Sequence, residues 1–293
     1  MTDAKILPPA VRAWAQGHIG PITAVRDVSH RRTASRVWEL VRPGGRAVYL
    51  KIAAGPVPYQ RESFAYRSAV PALGSGAAPQ LVESSAEHFA LLVTAIPGRP
   101  LAELPLAPAE ELEAYRQAGV LLARLHAAGD LRGVHRVEAE EALHRAASGV
   151  DRHLAAAGDR LSAPEQQLVR RLAEELLLVG SVPLAFLHGD AWARNVLWSD
   201  RSAWVDFERA RFGAAVQDFV VMSCGVWADN PRLRTAFFRG YGRELSPAER
   251  HALTCLAALD AASCLAWAPE HGDIEVADRG RKTLDRLMTG GFA

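Results

Sequence analysis

The chain has 293 residues, 49% of them hydrophobic and 23% charged, with a formal net charge of +1. That length exceeds one comfortable core and predicts two lobes, while the charge balance argues against a nucleic-acid partner, which demands a basic face. The first residues lack an apolar run of signal-peptide length and no segment reads as a membrane span, so a cytoplasmic protein without a membrane partner is expected.

Three scattered cysteines, Cys224, Cys255 and Cys264, read as buried thiols of a reducing compartment. Charge divides unevenly: residues 1–99 carry a net +6 and residues 100–293 a net −5. A basic first lobe suits phosphates, and an acidic second lobe suits a cationic acceptor; chance differences between solvated faces read equally well. Cations are nearly all arginine. Only Lys5, Lys51 and Lys282 are lysines, so a lysine inside an apolar strand stands out, the compact ammonium and forked guanidinium not being interchangeable.

In chain order, Ile22 to about Ile52 is strand-like, with a hairpin turning at Pro43-Gly44-Gly45. "VPYQRESFAYRSAV" reads as a helix stopped before Pro71, and "HFALLVTAIPGRPL" as a buried strand broken at Pro97-Gly98. There the lobes are expected to divide, 1–96 from 97–293. Helical periodicity then dominates: "PAEELEAYRQAGVLLARLHAAG" keeps Leu112, Tyr115, Gly119, Leu122 and Leu125 on one face. Ser162 with Glu165, and Ser246 with Glu249, have capping-box spacing and start two more helices. Only "FLHGDAWARNVLWSDRSAWVDFERA" (186–210) interrupts the helices with strands. The fold expected is α+β and bilobal, a small β-rich lobe against a larger helical one, with a cleft between.

That interruption crowds acceptor groups between apolar runs. With "NVLW" and "AWVDF" paired about a turn between Asp200 and Arg201, Leu197 opposes Trp204 and Asn195 opposes Asp206, about 5 Å apart at Cβ. An amide oxygen and a carboxylate so placed suit Mg²⁺, which takes a few protein oxygens and fills its shell with substrate phosphates. Asp190 enters the same end and can face an incoming hydroxyl. His188 and Asp218 read as loop-fixing groups, and Glu208 as a salt-bridge partner before a ligand. Lys51, alternating with Leu50 and Ile52, faces the cleft where it can bind phosphate oxygens, and Glu62 is the one carboxylate between Ile52 and Leu81 available to position it.

Lys51, Glu62, "LLVTAIPG", "LLARLHAAG", "HGDAWARNVL", "WVDFERARFG" and "QDFVV" stand in an order that resembles aminoglycoside phosphotransferase-like kinases, a family including choline, homoserine and methylthioribose kinases. The likeness runs from about residue 20 to 225 and fades in the C-terminal helices. It implies a protein-kinase-like fold, ATP or GTP as phosphoryl donor, Asp190 as catalytic base, Asn195 and Asp206 as Mg²⁺ ligands, and Lys51 paired with Glu62. Thr94, Ala95 and Ile96 would bond the nucleotide base through backbone groups. Two departures stand out. Ala193 and Arg194 replace a frequent Pro-Gly, with Arg194 adding a cation near the phosphates. The expected phosphate loop, "DVSHRRTASR", has no glycine, which leaves Ser29, Ser35, Arg31 and Arg32 as substitutes for close backbone amides.

The leading expectation is therefore an O-phosphotransferase acting on an aminoglycoside or other hydroxyl-bearing antibiotic and giving resistance. Asp229, Asp260, Glu270, Asp273 and Glu275 are the carboxylates available to acceptor ammonium groups. A kinase of a small metabolite is the alternative, with Trp227, Trp267 and Tyr241 able to cage a choline-type ammonium. A nucleotide-binding regulatory module with little catalysis is a third. Monomer and homodimer are both open.

Overall fold

The computed structural model describes residues 6–29 and 34–292; Arg31 and Arg32 lie outside the described residues. The small lobe opens with α1 (Pro9–Ile19), its φ preset by Pro9 at the first turn. The sequence reading passed over this helix, whose buried stripe is only Val11, Ala15 and Ile19. Next come β1 (Ala24–Asp27), β2 (Arg36–Val41), β3 (Ala47–Ile52), α2 (Pro56–Ser68), β4 (Leu81–Ser85) and β5 (Ala90–Thr94). The strands form one antiparallel sheet in the order β1-β2-β3-β5-β4.

The expected β2–β3 hairpin is present, with Val37 opposite Lys51. Gly44 and Gly45 turn it at φ 83° and 76°, conformations that side-chain-bearing residues resist. Alternation then sorts the faces. Trp38, Leu40, Val48, Leu50 and Leu92 pack with α1, which leaves Tyr49 and Lys51 on the opposite face.

The larger lobe begins with β6 (Arg99–Pro100), α3 (Pro108–His126), α4 (Gly133–Glu140), α5 (Ala142–Ser148), α6 (Val150–Ala157) and α7 (Ala163–Leu177). Four strands interrupt it: β7 (Leu184–Leu187), β8 (Val196–Trp198), β9 (Ser202–Trp204) and β10 (Arg211–Ala214). It closes with α8 (Val220–Cys224), α9 (Val226–Asp229), α10 (Pro231–Tyr241), α11 (Pro247–His271) and α12 (Ile274–Met288). Both anticipated capping boxes form, at Ser162/Glu165 on α7 and Ser246/Glu249 on α11.

Two expectations are corrected. The β8–β9 hairpin pairs Val196 with Trp204 and Leu197 with Ala203, one residue off the expected register. Its loop is the three residues Ser199-Asp200-Arg201, so Asn195 lies across from Val205, whose amide donates to the Asn195 carbonyl at 3.0 Å. An odd loop moves every pair by one. Contrary to the sequence reading, α11 is apolar and long enough to cross a membrane, with a window of mean hydropathy 1.4. Its alanines, cysteines and leucines are instead core residues, packed against α6, α7, α8 and α12.

Helices α3 and α10 cross backbone to backbone. A Cβ on Gly240 would lie 1.8 Å from the Arg116 carbonyl oxygen, and one on Gly119 would lie 2.1 Å from that of Phe237. Neither contact can be relieved by a rotamer change. Gly240→Ala should therefore cost about 3 kcal/mol, the upper part of the overpacking range. A urea midpoint equal to wild type would show that the crossing opens freely.

Candidate active site

Strand β3 and helix α2 bring Lys51 and Glu62 together at the cleft. The Lys51 ammonium lies 2.9 Å from Glu62, 2.5 Å from Asp206 and 3.0 Å from Glu208. Asp206 reaches it from just beyond β9, at φ +68°, a left-handed turn that redirects its side chain off the strand. Burial alone would lower the Lys51 pKa, but the pull of Asp206, Glu62 and Glu208 outweighs it and holds the pKa well above the ordinary lysine value. Burial pushes Glu62 up to about 7 against the pull of Lys51. Burial also opposes ionisation of Asp206, yet Lys51 prevails and keeps its pKa below the ordinary value. The site is thus one ammonium shared by three carboxylates.

Asp190 sits on the loop after β7. Its carboxylate accepts from the Asn195 amide at 2.9 Å, its backbone carbonyl accepts from the same amide at 2.8 Å, and Arg209 lies 4.0 Å away. With Asn195 donating through Nδ2, its Oδ1 is left as an acceptor. Gly189 allows the turn at φ +80°, where a Cβ would fall 2.1 Å from the Arg209 carbonyl oxygen. Asp218 fixes the loop from below, accepting the backbone amides of His188 at 2.7 Å and Gly189 at 2.8 Å. His126 links Asp218 (3.0 Å) to the Tyr241 hydroxyl (2.8 Å). His188 has its pKa lowered by burial. A neutral imidazole donating from Nε2 to the Val205 carbonyl at 3.0 Å and accepting the Asp190 amide on Nδ1 at 3.3 Å satisfies both nitrogens.

Ser35 is buried and donates to Glu208 at 2.7 Å. Ser29 closes the β1–β2 end, its hydroxyl donating to the Val37 carbonyl and accepting the Val37 amide. Thr94 ends β5 and exchanges bonds with Gln80, while exposed Ala95 and half-buried Ile96 follow outside any strand. Glu208 is the salt-bridge partner expected from sequence, and its partner is Lys51 at 3.0 Å, which places it in the cluster.

The donors are all oxygens, the type a hard cation takes, though the carboxylates also serve the Lys51 ammonium. Carboxylate oxygens of Glu62, Asp206 and Glu208 come within 4.8 Å of one another, and Asn195, across the hairpin from Val205, has its Oδ1 free of the Asp190 contacts that its Nδ2 makes.

The acceptor candidates are scattered. Asp229, Glu270 and Glu275 are exposed, Asp260 is paired with Arg279 at 3.3 Å, and buried Asp273 caps α12 through the Val276 amide. Near Asp190 stands a different group: the Arg194 guanidinium 3.1 Å over the Trp192 ring, with that of Arg279 at 5.5 Å. Trp227 and Tyr241 are packed among Phe219, Phe237 and Phe238, and Trp267 stacks on His271, so these three aromatics form no open cage.

No curated protein matches the chain. Among solved structures, a thermostable mutant of aminoglycoside phosphotransferase APH(4)-Ia in its apo form is 16% identical, with 95% of this chain and 98% of that chain covered at a TM-score of 0.69. The macrolide 2′-phosphotransferase MphH from Brachybacterium faecium is 17% identical, covering 94% and 97% at 0.62. The gentamicin complex of APH(2″)-IIa is 15% identical, covering 96% and 97% at 0.68. These likenesses establish the bilobal kinase-like α+β fold. Residues 30–253 match the family model described as the phosphotransferase enzyme family. With that match spanning most of the sequence, the chain belongs to the phosphotransferase enzyme family and is a small-molecule kinase.

Proposed function

We propose that the chain transfers the γ-phosphoryl group of ATP or GTP to a hydroxyl of an antibiotic, with Asp190 as the base, and thereby gives resistance in the cytoplasm. The observation that carries this is that His188 ties the Asp190 loop, clamped by Asn195, to Val205, the neighbour of Asp206 in the Lys51 cluster. Related folds bind ADP with hygromycin B, AMP-PNP with hygromycin B, and gentamicin.

Phosphoryl transfer asks a protein chiefly for positioning and charge neutralisation. Lys51 would bind donor phosphate oxygens, held in place by Glu62. Asn195 Oδ1 and Asp206 would hold Mg²⁺, which when bound neutralises charge on the β- and γ-phosphates. Asp190, 29% exposed, is open to an incoming hydroxyl. The acceptor oxygen forms its bond to the γ-phosphorus as the bond to the β-phosphate oxygen breaks; Asp190 takes the hydroxyl proton, and the nucleoside diphosphate leaves. Ala95 and Ile96 would meet the base, and Ser35, through Glu208, would steady the cluster under the phosphates.

Arg194 and Arg279 both stand against Trp192, Arg279 paired with Asp260 at 3.3 Å and Arg194 in the field of Glu275, Asp190 and Asp273, so the wall near Asp190 carries both signs of charge. Ammonium groups of an acceptor would meet the exposed carboxylates Asp229, Glu270 and Glu275. This suits a cationic antibiotic, an aminoglycoside or another hydroxyl-bearing natural product. A choline kinase is disfavoured because its quaternary ammonium needs an open aromatic box.

The test incubates the protein with Mg²⁺, ATP or GTP, and a panel of macrolides, aminoglycosides, choline and homoserine, followed by mass spectrometry. A one-phosphoryl mass gain on an antibiotic is expected. Phosphorylated choline or homoserine beside unchanged antibiotics would replace this reading with a metabolite kinase. ATP hydrolysis without any acceptor product would remove the antibiotic assignment.

A further inference from the structure

A second set of ligand-type side chains lies between α7 and α11 and shares no residue with the cleft. His251 and Cys255 are four residues apart on α11 and so project from the same face. Glu175, near the end of α7, meets them across the helix contact. The His251 Nε2 is 3.5 Å from a Glu175 oxygen and 3.9 Å from the Cys255 sulfur, and all three ligand atoms lie within 4.8 Å of one another.

We propose that Glu175, His251 and Cys255 bind one Zn²⁺ ion, which ties α7 to α11. Zinc bonds of about 2.3 Å to sulfur and about 2.0 Å to nitrogen and oxygen make tetrahedral edges of about 3.5 Å from sulfur to nitrogen and about 3.3 Å from nitrogen to oxygen. The two spacings from His251 exceed these by a few tenths of an ångström and Glu175 and Cys255 lie within 4.8 Å of each other, gaps that side-chain torsions can close. One thiolate, one imidazole and one carboxylate form a donor set that suits zinc rather than magnesium, whose preference is for oxygen alone. Cys255 is buried while His251 and Glu175 are 47% and 37% exposed, so the ion enters from solvent and its fourth position remains open to water. The other Glu175 oxygen faces Arg171 at 3.7 Å, which orients the carboxylate. Burial, with Glu175 adding to it, pushes the Cys255 thiol up to about 12. Zinc must therefore displace the thiol proton as it binds.

The experiment strips the full chain with a chelator and titrates zinc against a chromogenic competitor. One equivalent is expected to bind. Cobalt in its place should give a thiolate-to-metal charge-transfer band in the near ultraviolet. Glu175→Gln, at an exposed position that the fold tolerates, should weaken zinc binding about tenfold or more, and Cys255→Ala should abolish the cobalt band. Cys264→Ala, which removes a different buried thiol, should leave both signals intact. Zinc should also raise the melting temperature of the wild type and leave that of Cys255→Ala unchanged. Absence of stoichiometric zinc binding by the wild type, or a cobalt band that survives Cys255→Ala, would overturn the assignment.

Discussion

Asp190→Asn is expected to lower turnover by about a hundredfold or more while nucleotide affinity stays within about twofold of wild type, general-base groups contributing factors of this size. The substitution keeps side-chain volume and removes only the proton acceptor. Its new amide can still meet Asn195, which already donates to both the carboxylate and the backbone carbonyl of Asp190. The loop itself is held elsewhere, by Asp218 on the His188 and Gly189 amides. Folding should therefore survive, and the loss should fall on kcat. Steady-state assays with a phosphorylated acceptor, paired with nucleotide titration, separate the two effects. Turnover near wild type would exclude Asp190 as the base, and a matching loss of nucleotide affinity would reassign it to the donor site.

Local patterns in this chain were legible wherever one residue's chemistry decides a local conformation. Pro43-Gly44-Gly45 announces the β2–β3 hairpin because two left-handed positions in a row favour glycine. Ser162 and Ser246 announce helix starts because a hydroxyl and a glutamate three residues on satisfy end amides reciprocally. Lys51 and Glu62 could be matched because the chain offers so few alternatives.

Long-range geometry was less readable. The residues of the Asn195 and Asp206 segment were found, but their register was not. A three-residue loop and a four-residue loop differ by nothing that hydrophobic alternation registers when both strands are buried on two sides. Glu208 reads as a salt-bridge partner and is one, but nothing local reveals that its partners are Ser35 and Lys51, more than 150 residues earlier. Helix α1 was passed over because its stripe of three small-to-medium residues gains meaning only from the sheet it covers. The acceptor side is the least legible of all. Asp260 and Asp273 look available in sequence, and in the fold one is held by Arg279 and the other caps a helix.

Lys51→Met should produce the second large effect, on stability as well as activity. In the wild type one ammonium offsets three carboxylates, and Glu62 is only 2% exposed at its side chain. Removing a partner from a buried ion pair costs about 3–5 kcal/mol. Asp206 is 34% exposed and Glu208 21%, so water screens part of the repulsion and the low end, about 3 kcal/mol, is expected. The sign with pH follows from the carboxyl groups. Asp206 is depressed by Lys51, so its contribution in the wild type is present above the ordinary carboxylate pKa and fades as pH falls. Glu62, already raised to about 7 by burial, rises further without Lys51, and Asp206 loses the pull that opposes its own burial, so the folded variant gains stability as they protonate. The gap between wild type and variant should therefore narrow as pH drops from about 8 to about 5, a trend that urea unfolding at several pH values measures. Lys51→Arg should rescue neither stability nor turnover fully, because three oxygens gathered within 3.0 Å of one nitrogen suit a compact ammonium and not a planar fork. A stability gap that stays constant with pH would mean that Lys51 acts through packing alone, and full rescue by arginine would mean that the cluster needs only a positive charge.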